Sequence, residues 1–278
     1  MIKRDMESPT AFALKIKEEC NIYDLQGLCQ NRNGDYTIAV EAIDMGNDPI
    51  EAYDEMFSPQ DLYAKAWLAE RVNASFVLML HTASEPTEVF LKSFQTNPAA
   101  HKVNCIETKC LSEDYFMNWW KARQFRTQHK EYRGEMKKKI ATSYFDQLME
   151  KNGSSWSGNI DGFMMKKNSA GVEDISAIIE CRFSSKEDIN YYDPNKYFDK
   201  GGGDFVTWNG LLQLSNRLNV PLLLFTYSRK MGSRNKVGLA VVNGVSREKG
   251  LIYKDGITPC RNVKESSADV LAWIDANS

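Results

Sequence analysis

The feature that most constrains this chain is the succession of runs between Gly158 and Ser228. Two strand-length stretches, Ile160 to Lys166 and Ile175 to Phe183, are joined through the turn residues Asn168-Ser169-Ala170-Gly171. A stretch of helical period follows (Phe205, Trp208, Leu211, Leu212, Leu214, Ser215, Leu218), then Val220 to Tyr227, an almost unbroken apolar run. A strand pair, a helix and a buried strand in that order predict an α/β unit. Asp161 stands near the start of the first strand. Glu180 and Arg182 stand two apart on the second, so their side chains leave one face of the sheet.

Two carboxylates from neighbouring strands, with a cation beside one of them, are suited to holding a divalent metal and a phosphodiester together. Asp161 on one hairpin strand and Glu180-Cys181-Arg182 on the next, between a preceding helix and a following helix and strand, resemble the PD-(D/E)XK nuclease superfamily. The resemblance covers about residues 130 to 245, and it departs from the pattern where Arg182 takes the place of the motif lysine. It implies a restriction-endonuclease-like mixed sheet flanked by helices. It also implies that Asp161, Glu180 and the backbone carbonyl of Cys181 bind Mg2+ or Mn2+, with Glu135 or Glu131 of the preceding helix as a further acid. Arg182 would offset charge in the transition state but not remove a proton, since guanidinium stays charged; Lys166, Lys167 or Lys186 would have to supply that step. The expected function is metal-dependent endonucleolytic hydrolysis of DNA, of the type II restriction kind, with two chains pairing to cut both strands. The alternative is a catalytically inactive nuclease fold that binds nucleic acid or a protein partner.

With 278 residues the chain can bury a full core. It divides on this reading into an α/β region at 1–125, serving recognition, dimerisation or regulation, and a nuclease-like domain at 126–278. The six cysteines include no Cys-x-x-Cys pair and read as reduced thiols in a cytoplasmic protein. Three histidines make a multi-histidine metal centre a poor expectation. A net charge of −2 announces no global field for nucleic acid, so any such surface must be local. No stretch is apolar enough to predict a membrane span.

Within the first region, Phe12 to Ile16, Tyr23 to Leu28 and Tyr36 to Val40 read as short strands, the last two as a hairpin across Asn31-Arg32-Asn33-Gly34-Asp35. Glu41-Ala42-Ile43-Asp44 imitates a second carboxylate site, but no Lys or Arg follows at the right offset, so these read as solvent-facing acids. Ser58-Pro59-Gln60-Asp61 opens a helix. Ser75 to Thr82 is a strand covered on both faces, closed by His81. That histidine reads as structural, against a small-molecule enzyme centred on it.

A nucleic-acid surface is expected from the basic cluster that includes Lys121, Arg123, Arg126, Lys130 and Arg133, just before an amphipathic helix over residues 133–151. Tyr191, Tyr192 and Lys196 of the long loop after Arg182 would add to it, with Arg229 and Arg234 of the loop after the buried strand. Gln213 or Asn209 of the intervening helix would reach the site, and Gly162 would clear room for a sugar-phosphate backbone.

Overall fold

The structure, a computed structural model, describes residues 11–83, 87–124, 143–154, 158–167, 171–199 and 203–278. In chain order the elements are α1 (Ala11–Glu19), β1 (Ile22–Gln30), β2 (Tyr36–Gly46), α2 (Pro59–Arg71), β3 (Ser75–Thr82), β4 (Glu88–Asn97), β5 (Lys102–Ser112), α3 (Glu113–Lys121) and α4 (Tyr144–Lys151). They continue with β6 (Gly158–Lys167), β7 (Glu173–Ser184), α5 (Gly203–Leu218), β8 (Leu222–Ser228), β9 (Val237–Ser246), β10 (Gly250–Tyr253), β11 (Val263–Lys264) and α6 (Ser267–Asp275). This is an α/β protein with mixed strand pairing. Its contacts form two compact units, one holding Leu25–Asn159 and the other Ser8–Asp24 with Ile160–Ser278.

In the first unit β1 and β2 form an antiparallel hairpin. Its turn is set by the Asn31 carboxamide, whose Oδ1 accepts from the amides of Asn33 (2.9 Å) and Asp35 (3.0 Å), with Gly34 at φ +83°. From β2 the chain crosses through α2 to β3, which pairs with β2 in parallel, and β4 and β5 follow antiparallel. The Ser58 hydroxyl caps α2 by accepting from the Asp61 amide at 3.0 Å, with Pro59 at the first helical position. Its buried residues are Leu62, Tyr63, Ala64, Lys65, Ala66, Leu68 and Ala69.

The second unit follows the same plan. β6 and β7 form the antiparallel hairpin, α5 crosses to β8 in parallel with β7, and β9 and β10 follow antiparallel. All seven residues of β8 are buried, which is why its sequence is nearly all apolar. One side of the core gathers Ile179, Leu223, Phe225, Leu239 and Val241 with Phe12, Ala13 and Ile16 of α1 and Val270 and Ile274 of α6. Each such large side chain contributes ~1.5–3 kcal/mol by leaving water. On the other side α5 buries Trp208, Leu211, Leu214 and Leu218.

One expectation is corrected. Phe12 to Ile16 is helix rather than strand: Phe12, Ala13, Ile16 and Cys20 recur at helical spacing, and all are buried in one cluster. The expected boundary at 125/126 lies outside the described residues. Phe145, Leu148 and Met149 of α4 pack with Phe116, Met117 and Trp120 of α3 in the core of the first unit. The hairpin of β4 and β5 was unforeseen, because β5 is exposed along nearly its whole length and carries no apolar period. Of the helix expected over 133–151, residues 133–142 lie outside the described part; the rest holds α4, capped by Ser143, whose Oγ accepts from the Asp146 amide at 3.2 Å.

Candidate functional site

The site is built on the β6–β7 hairpin. The register pairs Gly162 with Ile179, and one antiparallel step further sets Asp161 opposite Glu180, with both side chains on one face. The other face is closed at this point. A Cβ on Gly162 would lie 2.7 Å from Ile22 Cγ2 and 3.1 Å from Ile179 Cβ, so the glycine makes room for core packing and not for a ligand.

Asp161 Oδ2 accepts from the Cys181 amide at 3.1 Å. A residue of an extended strand turns its N–H and C=O to the same side, so the Cys181 carbonyl is also directed toward β6. Arg182 places Nη2 3.0 Å from Glu180 Oε1 and 3.5 Å from Oδ1 of Asp204 in the first turn of α5. Its guanidinium also lies over the Trp208 ring, 5.4 Å from the centroid. Glu180 is 5% exposed, whereas the side chains of Arg182 and Asp204 are 29% and 30% exposed, so solvent reaches the cluster at the Arg182–Asp204 side.

Two carboxyls this close in a dry setting do not both ionise readily. Burial pushes the Glu180 carboxyl well above the ordinary glutamate range, and the neighbouring Asp161 charge pushes it further; Arg182 opposes both. Burial likewise raises Asp161, against the Cys181 amide and the Arg182 charge. The side-chain interaction between the two carboxyls raises Glu180 and lowers Asp161. Such a coupled pair titrates as a unit.

The donor chemistry fits a hard divalent cation. The pair offers carboxylate oxygens of the kind Mg2+ prefers, and Mg2+ characteristically keeps water and substrate oxygens for the remainder of its shell. Among the described residues no group of three His, Cys, Asp or Glu side chains is arranged to hold a metal. A cation here would therefore rest on two carboxylates and non-side-chain donors. Glu135 and Glu131, the further acids expected, lie outside the described residues.

Asp204 and Trp208, which fix Arg182, were not singled out in the sequence as site residues. An acid in the first turn of the crossover helix was the available signal for Asp204. Of the expected stand-in lysines, Lys166 is at the far end of β6, paired with Asp275 at 2.7 Å, Lys167 ends that strand, and Lys186 is exposed in the loop after β7.

The expected nucleic-acid contacts are placed unevenly. Tyr191 is 71% exposed, but Tyr192 is 6% exposed and donates its hydroxyl to the Phe183 carbonyl at 3.3 Å, so it braces the loop instead of facing a ligand. Burial raises its phenol to about 12. Lys196 is exposed and donates to the Tyr191 carbonyl at 2.7 Å. Gln213 lies on the solvent side of α5 and not with the buried residues that face the sheet; Asn209 is half-buried. The loop after β8 carries Arg229 and Arg234, the latter donating to the Arg229 carbonyl at 3.0 Å. Because β7 and β8 run parallel, that loop and the loop bearing Tyr191 and Lys196 leave the same end of the sheet as Arg182. Lys121 and Arg123 belong to the first unit. Lys121 is exposed, while Arg123 is held against α3 by Trp119, with Nη1 3.1 Å from its carbonyl and the guanidinium over its ring. Arg126, Lys130 and Arg133 lie outside the described residues.

His81, in the first unit, places Nδ1 3.0 Å from Asp44 Oδ1 and stacks its ring flat on Tyr144 at 3.5 Å. Tyr144 in turn donates its hydroxyl to Glu113 at 2.9 Å. No helix among the described residues is long and apolar enough to cross a membrane, and all six cysteines are free thiols. No protein-family model matches the chain, nor does any curated protein or solved structure.

Proposed function

We propose that this protein is a metal-dependent DNA endonuclease of the PD-(D/E)XK kind, with Asp161 and Glu180 as ligands of Mg2+ or Mn2+. The observation that carries this reading is the convergence of the two carboxyls, set opposite each other on one sheet face beside the carboxyl ends of parallel β7 and β8. In open α/β sheets that end is where ligands bind. A bound cation would polarise a phosphoryl oxygen and lower the pKa of an attacking water.

The chain's own groups divide the remaining work. Arg182 orients Glu180 and supplies positive charge where the scissile phosphate gains negative charge. Asp204 holds the guanidinium from the helix side. Lys196, Arg229 and Arg234 at the same sheet end attract the phosphate backbone. Two such chains would be needed to cut both strands of a duplex, and the reduced thiols suit a cytoplasmic protein.

One observation favours a second reading. Glu180 is buried and its charge partner Arg182 is already engaged by two carboxylates and Trp208. A nuclease fold that only binds nucleic acid or a protein partner would keep those contacts as structure. Incubation with supercoiled plasmid, with and without Mg2+ or Mn2+, separates the two. Metal-dependent nicking that is lost in Asp161→Ala and Glu180→Ala, with both variants folded, supports the nuclease. Binding that survives Asp161→Ala, with no cleavage at any metal concentration, leaves the second reading.

A further inference from the structure

The two units repeat each other down to single residues. Each consists of an antiparallel hairpin, a crossover helix to a parallel strand, and two further antiparallel strands. In the first, Gly27 pairs with Val40, which sets Gln26 opposite Glu41 one step on, as Gly162 with Ile179 sets Asp161 opposite Glu180. Leu25-Gln26-Gly27-Leu28 thus falls on Ile160-Asp161-Gly162-Phe163. Glu41 is beside Leu78 of the parallel strand, and Glu180 is beside Leu224.

The hydrogen bonds repeat as well. The Ala42 amide, next after Glu41, donates to Gln26 Oε1 at 2.8 Å; the Cys181 amide, next after Glu180, donates to Asp161 Oδ2 at 3.1 Å. Each glutamate meets one cation, and that cation meets an acid in the first turn of the crossover helix. In the second unit the cation is Arg182 with Asp204. In the first it is Lys65, with Nζ 3.0 Å from Glu41 Oε1 and 3.0 Å from Asp61 Oδ2. The cation has moved from the strand to the helix, and the side chains of Lys65 and Glu41 are only 3% and 5% exposed.

Charge explains why the first unit closes over this cluster. Gln26 is uncharged where the second unit has the Asp161 carboxyl, so Glu41 faces no second acid from the hairpin and its counter-charge is the Lys65 ammonium. We propose that Gln26, Glu41 and Lys65 are a second copy of the carboxylate site in an internally duplicated chain, and that the Lys65 ammonium permanently holds the place a divalent cation takes at Asp161 and Glu180 in the other copy. The last clause rests on the cation reading of that pair; the duplication stands on register and hydrogen bonds alone. The chain then has one metal centre and one centre closed by its own lysine.

The test uses the full chain with Asp161→Asn and Glu180→Gln, so that only the first unit is read, and Mn2+ alone as the probe, followed by titration calorimetry and the electron-spin signal of unbound Mn2+. With Lys65 in place no site is expected. Adding Gln26→Asp with Lys65→Ala is expected to create one Mn2+ site per chain, and a further Glu41→Gln to weaken it at least tenfold. Removing a buried ammonium endangers folding, so thermal unfolding is followed in parallel with and without Mn2+. A chain that folds only when Mn2+ is added supports the proposal, since the ion then replaces the ammonium. A folded variant that takes up no Mn2+, a variant that stays unfolded at saturating Mn2+, or Mn2+ binding that depends on Glu41 while Lys65 is intact overturns it. If the engineered first unit binds Mn2+ while the unaltered Asp161–Glu180 pair does not, the nuclease reading fails and the cation clause with it, while the duplicated site stands.

Discussion

The two units place a buried glutamate at the same step of the same fold and neutralise it in different ways. Around Glu41 the charges are matched inside the protein: the Gln26 backbone N–H donates to the glutamate from the hairpin, a lysine pairs with it from the helix, and the group is sealed. Around Glu180 a second carboxyl, Asp161, stands where the first unit has the uncharged Gln26 side chain, the cation is an arginine at the partly open side, and burial with the Asp161 charge holds the Glu180 carboxyl well above its ordinary range. The first arrangement is what stability alone favours, because a buried charge is tolerable when paired and hydrogen-bonded. The second keeps like charges together at a cost. Sites where titratable groups are forced out of their ordinary range tend to be functional, and this contrast within one chain is the reason to place chemistry in the second unit and not the first.

Activity gives the largest test of that contrast. If the second unit alone holds the metal, Asp161→Asn lowers Mg2+-dependent nicking of supercoiled plasmid by about 10^3-fold or more, several kcal/mol of transition-state stabilisation. Gln26→Leu, at the matching position of the first unit, leaves the rate within about twofold. Equal losses from the two variants break the assignment. Stability should rank the other way. Lys65→Ala strands Glu41 in a dry site and is expected to cost about 3–5 kcal/mol in urea unfolding. Arg182→Ala removes a partner that is almost a third exposed and screened by solvent, and is expected to cost no more than about 1 kcal/mol. A larger loss from Arg182→Ala than from Lys65→Ala would mean that the second cluster is the structural one.

Much of the second unit was legible in its residues. β6, β7, α5 and β8 all lie where the apolar runs place them, since a buried strand and an amphipathic helix advertise themselves by period. Asp161, Glu180 and Arg182 share a face because strand periodicity leaves no other choice once the register is set. Glu41 was misread as a solvent-facing acid, although it is 4% exposed, because its partner Lys65 lies 24 positions away on another element, where no local offset rule looks. Arg182 drew notice because its charge sits on the same strand as its acid. The duplication itself was hidden for a similar reason: it survives as Leu-Gln-Gly-Leu against Ile-Asp-Gly-Phe and as the apolar residues before each glutamate, while the loops between differ in length. β5 could not be read at all, since an edge strand exposed on both faces carries no burial pattern.

The test most specific to the raised Glu180 carboxyl is in the pH dependence of folding. The Glu180 carboxyl is held well above its ordinary range by burial and by the Asp161 charge. The unfolded chain releases that proton near pH 4.3, so above this the folded state binds more protons than the unfolded one, and stability falls as pH rises until the folded group also ionises. Each unit of displacement is worth about 1.4 kcal/mol. Thermal unfolding between about pH 5 and pH 8 should therefore show a declining midpoint in the natural protein and a flatter profile in Glu180→Gln, which keeps an acceptor for Arg182 but has no proton to lose. Mg2+ or Mn2+ should raise the midpoint most at the alkaline end, where the pair is richest in negative charge, and should not raise that of Glu180→Gln. Identical profiles for the two proteins would mean that Glu180 is ionised throughout, like an ordinary ion-paired glutamate, and would remove the electrostatic difference on which the comparison of the two units stands.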